Sequence, residues 1–188
     1  LSNIQFETVV LAGAAHDRHL PFDNDIDAAP RLGFLIADGT GAGKTNSMVG
    51  IILDNFNRGR RRAIIVGEKD RHKDGVLKAL SMCGLPGSTL FTLKDYKARA
   101  PLPKRDGILF LTYAMLRSAE ENGDFDRLRQ IVEWVGKDFD GVIAFDESQN
   151  MRNGMPRRGD RGTVNASLQA LSGIELQARL PEARVVYV

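Results

Sequence analysis

The sequence predicts an α/β domain: a mostly parallel sheet flanked by helices on both faces. Three observations carry this expectation. Five short runs, at 32–37, 63–66, 108–111, 142–145 and 184–188, are rich in β-branched or large apolar residues and do not alternate with polar ones. Strands that read as continuous apolar runs are buried on both faces, as in a parallel sheet. Longer stretches of helical character lie between them, at 45–57, 71–83, 113–119, 125–136 and 166–180, and this alternation implies βαβ crossovers. Finally, the 188 residues are 43% hydrophobic and 27% charged, which suffices to bury one core and suits a single domain spanning 1–188.

Each element has a local reason. Ser2-Asn3-Ile4-Gln5 sets a hydroxyl three residues ahead of a side-chain amide, the pattern of a capping box. A helix therefore opens the chain, with Val9, Val10 and Ala14 continuing its apolar face. An Asp-rich loop bounded by Pro21 and Pro30 leads to the first strand at 32–37. A glycine-rich turn then gives way to a helix at Thr45. The second strand and helix follow at 63–66 and 71–83; the third strand ends at Thr112-Tyr113, where the next helix starts. In the segment 125–136, Leu128, Ile131, Val132 and Val135 recur at i, i+3, i+4 and i+7, one face of a helix. Runs 142–145 and 184–188 complete the sheet, joined by the helix at 166–180.

Composition excludes several classes. A net charge of +2 is not that of a polycation, though it permits local basic patches. The single cysteine, Cys83, excludes a disulfide framework and a multi-cysteine zinc site and suits a reducing compartment. No apolar run approaches the ~18 residues of a membrane span, and no signal pattern opens the chain. The expected setting is cytoplasmic, or nuclear in a eukaryote, with no membrane partner. The chain starts at Leu1 and stops inside an apolar run, Val185-Val186-Tyr187-Val188, so it is expected to be part of a longer protein.

The strongest chemical signal is Asp38-Gly39-Thr40-Gly41-Ala42-Gly43-Lys44-Thr45, directly after a strand and before a helix. Glycines let backbone N–H groups turn inward around a phosphate, and the helix N-terminus favours the anion. In such a P-loop Lys44 reaches the β- and γ-phosphates and the Thr45 hydroxyl ligates Mg2+. Asp38 stands where the strict pattern has glycine. The second signal is Val142-Ile143-Ala144-Phe145-Asp146-Glu147-Ser148-Gln149, an apolar strand ending in adjacent carboxylates. Asp146 is placed to hold Mg2+ through water, and Glu147 to orient and deprotonate the attacking water. Capping of a following helix is the structural alternative for these acids. Together the motifs predict Mg2+-dependent hydrolysis of a nucleoside triphosphate.

Asp38-x-x-Gly41-x-Gly43-Lys44-Thr45 resembles motif I of superfamily 2 helicases and translocases, especially the Swi/Snf-type branch, and Asp146-Glu147-Ser148-Gln149 resembles their motif II. Longer stretches resemble the Strawberry notch helicase-like family: residues 33–44, Gly50-Ile51-Ile52-Leu53-Asp54-Asn55 with Gly59-Arg60, Asp140-Gly141-Val142-Ile143, and Glu175-Leu176-Gln177 with 180–187. The resemblance implies a RecA-like P-loop NTPase fold, with ATP between two such domains and nucleic acid, DNA in preference to RNA, crossing both. It places ATP on Gly39, Thr40, Gly41, Ala42, Gly43, Lys44 and Thr45, and makes Lys44, Asp146, Glu147 and Gln149 the catalytic set. It puts Gln5 where a glutamine reads adenine; the capping role is the alternative, and both can hold at once. It also implies that a Ser-Ala-Thr motif follows Val188, and that a second RecA-like domain, absent here, supplies an arginine to the γ-phosphate. Hydrolysis by 1–188 alone is therefore expected to be weak. Two departures stand out. Gln149 replaces the usual His of motif II, although an amide can bridge the γ-phosphate to motif III. Thr45 stands where family members often have Gly, which restores the ordinary magnesium ligand. An ATP-gated scaffold without motor output and a restriction-type translocase are the other readings.

Several weaker features have plainer explanations beside the functional ones. Arg58, Arg60, Arg61 and Arg62 precede the second strand, and Arg152, Arg157, Arg158 and Arg161 follow motif II; arginine runs bind phosphates or simply solvate loops. Thr112-Tyr113 resembles motif Ib, a nucleic-acid contact, or is a strand end. Asp23, Asp25 and Asp27 mimic a calcium loop, but Ala28 and Phe34 stand where it needs Gly and Glu, so calcium is excluded. His16, His19 and His72 have no zinc spacing, and Trp134 reads as packing or surface.

Overall fold

Alternation inside each apolar run decides the architecture. In β2 (Arg62–Gly67), Ala63 and Ile65 point to one side of the sheet and Ile64 and Val66 to the other, and all four are fully buried. The same division holds for Ile108 and Phe110 against Leu109 and Leu111 in β4 (Gly107–Thr112), and for Val142 and Ala144 against Ile143 and Phe145 in β5 (Val142–Phe145). Two apolar cores therefore form, one on each face, and each needs its own cover of helices. The computed structural model describes residues 1–21, 29–37, 39, 43–117, 126–151 and 168–188. In it, α1 (Asn3–His16), α2 (Lys44–Asn57) and α3 (His72–Met82) supply the first core. The second is closed by α4 (Tyr113–Arg117), α5 (Asp126–Val135) and α6 (Leu168–Arg179).

Six strands, all parallel, run in the order β1-β6-β5-β2-β4-β3, where β1 is Phe34–Leu35, β3 is Leu90–Thr92 and β6 is Arg184–Tyr187. β2 is central, with Ile64 paired to Leu109 on one side and to Ile143 on the other. The expected α/β sheet flanked on both faces is what the chain forms.

Two strand expectations need correction. The run 32–37 yields only two residues of strand. The Leu32 amide donates to the Arg18 carbonyl at 2.9 Å and the Arg31 amide to Pro181 at 3.2 Å, so the start of the run pairs with loops. β3 was not foreseen. It is a three-residue edge strand, too short for an alternation or an apolar run to register. The calcium-like aspartates and the second arginine run lie outside the described residues, as do 118–125.

The N-terminal helix is capped as expected. The Ser2 amide donates to Gln5 Oε1 at 3.0 Å and the Gln5 amide to Ser2 Oγ at 3.3 Å. Gly50 lets α1 come close to α2, since a Cβ there would lie 2.9 Å from both Leu1 Cδ1 and Val9 Cγ2. At the other end, buried His16 meets the Val185 carbonyl through Nε2 at 3.1 Å, and burial holds its ring below the usual imidazole range. Arg31 fastens this corner, donating to the His16 carbonyl at 2.5 Å, the Glu182 carbonyl at 3.0 Å and Glu182 Oε2 at 2.7 Å.

The first arginine run faces the amino ends of the strands, where it has acidic partners. Arg58 pairs with Asp54 at 2.9 Å and Arg60 with Asp140 at 2.7 Å, while Arg62 lies over Trp134 and 3.6 Å from Asp106. Buried Arg184 donates to the same Asp140. Trp134 is core, edge-on to Phe91.

Beside this cluster Gly141 leads into β5. A Cβ on it would lie 2.4 Å from the Arg62 carbonyl oxygen and 2.5 Å from Phe139 Cε2. Backbone cannot yield as a side-chain tip can, so Gly141→Ala is expected to destabilise the fold by roughly 1–3 kcal/mol. Urea denaturation against the parent chain measures this, and an unchanged midpoint would contradict the close approach.

Candidate functional site

Parallel strands gather their carboxyl ends along one edge, and ligands of open α/β sheets bind there. The chain leaving β1 and the chain leaving β5 meet at that edge. The first returns through Gly43, which caps α2 in a left-handed conformation at φ 80° and ψ 38°. The left-handed backbone favours glycine here, and a Cβ on Gly43 would lie 2.5 Å from Gln5 Nε2, displacing that amide tip. The contact also shows that Gln5 serves its cap and lies against the phosphate-loop glycine at the same time. Lys44 and Thr45, the first residues of α2, are half-buried. A helix N-terminus favours an anion through its dipole and its first N–H groups. Gly39 is exposed, and Asp38, Thr40, Gly41 and Ala42 lie outside the described residues.

The second arm is the tip of β5. The Asp146 amide donates to the Val66 carbonyl at 2.9 Å, and the buried Tyr113 hydroxyl donates to the Asp146 carbonyl at 3.0 Å. The Asp146 backbone is thus held from both sides. Burial pushes the Asp146 carboxyl above the usual carboxylate range, an effect that the neighbouring His72 opposes. A half-buried carboxylate of this kind is stabilised by any cation that reaches it.

Glu147 turns the chain away from the sheet. Its φ of 54° is left-handed, a conformation that costs a non-glycine residue about 1–3 kcal/mol and persists only where the surroundings enforce it. Here Asn150 donates to the Glu147 carbonyl through both its amide and Nδ2, each at 2.9 Å, and the Ser148 amide donates to the Val188 carbonyl at 2.9 Å. Gln149 donates its side-chain amide to Glu147 Oε2. Motif II is thereby tied to the end of β6, whose Val188 amide returns a bond to Phe145 at 2.9 Å.

Gly43, Lys44, Thr45, His72, Asp146 and Glu147 line one cleft of about 670 Å³. Of the described residues of the two motifs, Gly43, Lys44, Thr45, Asp146 and Glu147 line this cleft, while Gly39 and Gln149 are not among its lining residues. Among the described residues no group of three His, Cys, Asp or Glu side chains is placed to hold a metal. One hydroxyl (Thr45) and one carboxylate (Asp146) fit Mg2+, which keeps several waters and takes phosphate oxygens as its other ligands.

Three contributors escaped the sequence reading. His72 Nδ1 lies 3.3 Å from Asp146 Oδ2. Asn150 fixes the strained Glu147. Tyr113 is not an outward nucleic-acid contact: Thr112 and Tyr113 are buried, and the Tyr113 ring stacks on Phe145, which stacks on Tyr187. The sign that could have pointed to Tyr113 is its place at the carboxyl end of a buried strand. Among the described residues no helix is long and apolar enough to cross a membrane.

Comparison with known proteins follows the same lines. The family described as P-loop containing NTP hydrolase pore-1 matches residues 1–188. The Caenorhabditis elegans protein strawberry notch homolog is 33% identical over 196 residues, covering 100% of this chain and 10% of that protein. Human protein strawberry notch homolog 1 is 34% identical over 194 residues, covering 100% of this chain and 13% of that one. Arabidopsis thaliana protein FORGETTER 1 is 33% identical over 195 residues, covering 100% and 14%. The chain therefore spans a small fraction of these relatives. Among solved structures, the Sulfolobus solfataricus SWI2/SNF2 ATPase core in complex with dsDNA superposes with a TM-score of 0.59 at 16% identity, over 99% of this chain and 31% of that one. The fold is thus the RecA-like α/β fold of P-loop NTPases.

Tyr113→Phe isolates one contact, because the ring and its stack on Phe145 are kept while the bond to the Asp146 carbonyl is lost. The expected cost is about 0.5–1.5 kcal/mol, measured by chemical denaturation. No change in stability would show that the hydroxyl does not hold the β5 tip.

Proposed function

This chain belongs to the P-loop containing NTP hydrolase pore-1 family, and from that premise we propose that it is the ATP-binding and hydrolysing RecA-like domain of a nucleic-acid-dependent motor of the superfamily 2 kind. The observation that carries the reading is the convergence of Lys44 and Thr45 with Asp146 and Glu147 in one cleft. An anion-binding helix end and a carboxylate pair face each other there, which is the minimum that phosphoryl transfer to water requires.

In this reading the loop 39–43 and the first turn of α2 hold the phosphates by backbone N–H groups, and Lys44 places its ammonium on the β- and γ-phosphates. The Thr45 hydroxyl and the Asp146 carboxylate are the protein groups that would hold Mg2+, which when bound neutralises phosphate charge. Glu147 orients the attacking water and takes its proton. Its position is set by the left-handed turn and by Asn150, so the strain at this residue serves to aim it. Gln149, bonded to Glu147 in this structure, is the residue through which the γ-phosphate is sensed. Gln5 lies against Gly43 and supplies an amide for the adenine edge. The partner proposed is nucleic acid, DNA in preference to RNA, in keeping with the DNA-bound state of the S. solfataricus neighbour. A second RecA-like domain of the same protein would complete the catalytic cleft.

The test replaces one atom group. Glu147→Gln in the intact protein is expected to bind ATP as the parent does while losing about 10²- to 10⁴-fold in turnover, read by equilibrium nucleotide binding and phosphate release. Nucleic-acid-stimulated turnover at the parental rate would sink the mechanism.

A further inference from the structure

We infer that His72 is a positioning residue for Asp146, holding one carboxylate oxygen so that the other serves the nucleotide's magnesium ion. This rests on the Mg-ATP reading above. The placement follows from topology. β2 and β5 are neighbours in register, with Val66 opposite Phe145, so the chain leaving β2 passes beside the chain leaving β5. His72 is the first residue of α3, and its amide is fixed to the Lys69 carbonyl at 3.0 Å. From there Nδ1 reaches Asp146 Oδ2 at 3.3 Å, and both side chains are only 20% exposed.

The donor can be assigned on chemical grounds. An ionised carboxylate only accepts hydrogen bonds, so the proton of this contact sits on Nδ1, and His72 donates. The Asp146 backbone is already clamped by Val66 and Tyr113. What remains free is rotation of the carboxylate itself, and the His72 bond removes it by engaging Oδ2, which leaves Oδ1 for the cation. Groups that orient a metal-binding carboxylate in this way are typically worth 10–100-fold in metal affinity.

The experiment compares the parent, His72→Ala and His72→Asn, with two readouts in the intact protein. One is Mn2+ affinity in the presence of ADP, by electron paramagnetic resonance. The other is ADP affinity in EDTA. His72→Ala should weaken Mn2+ binding about 10–100-fold and leave ADP binding in EDTA unchanged. His72→Asn should restore most of the Mn2+ affinity, since the Asn amide nitrogen can stand where Nδ1 stood. Unchanged Mn2+ affinity in His72→Ala would overturn the inference. So would an equal loss in EDTA, which marks general damage to the cleft, or the absence of rescue by asparagine. If the parent itself shows no ADP-dependent Mn2+ binding, the Mg-ATP reading falls, and the inference falls with it; that outcome is visible before any variant is measured.

Discussion

The pairing of β2 with β5 is the interaction on which the site depends. Four residues of each strand lie side by side at the middle of the sheet, buried on both faces. That ladder extends one bond further, from the Asp146 amide to Val66, and so delivers a carboxylate to the sheet edge with its backbone already immobile. Burial alone would make such a carboxylate costly. The arrangement is sustained because the cost is met by hydrogen bonds around it and, in the functional reading, by a cation. Everything else at the site is placed relative to this fixed point.

The opposing arm is held by helix packing. α2 must start where the phosphate loop ends, and α1 must lie across it closely enough for Gln5 to touch Gly43. Gly50 makes that approach possible, and the clasp of Arg31 on His16 and Glu182 anchors the far end of α1 to the turn before β6. The charged cluster at the amino ends of the strands has the opposite character. Asp140 gathers Arg60 and Arg184 there, at the opposite end of the strands from the candidate cleft. Ion pairs as exposed as Arg58 with Asp54 are worth at most about 1 kcal/mol, so that end is held mainly by buried apolar contact.

Much of this was legible in the residues. Continuous apolar runs identified the central strands because burial on two faces leaves no polar position. Glycines between a strand and a helix, with Lys44 and Thr45 opening that helix, marked the first arm, because the left-handed backbone seen at Gly43 suits glycine alone at little cost. Paired acids at a strand end marked the second arm. Strand order was not legible, since nothing in a linear pattern states which parallel strand lies beside which. His72 was missed for that reason: its relation to Asp146 exists only once β2 and β5 are neighbours. For Thr112-Tyr113 the sequence left a nucleic-acid contact and a strand end both open, and burial of the two residues favours the strand end. β1 was overestimated because Leu32 and Arg31 are drawn to the loops by hydrogen bonds that apolar character does not report.

The most direct measurement is a crystal structure of the protein with Mg2+ and a non-hydrolysable ATP analogue. The account predicts the γ-phosphate within hydrogen-bonding reach of Lys44 Nζ, and one metal ion held by Thr45 Oγ1 and, directly or through a water, by Asp146. A nucleotide whose phosphates lie away from the start of α2, or a metal ion that contacts neither Thr45 nor Asp146, would contradict it.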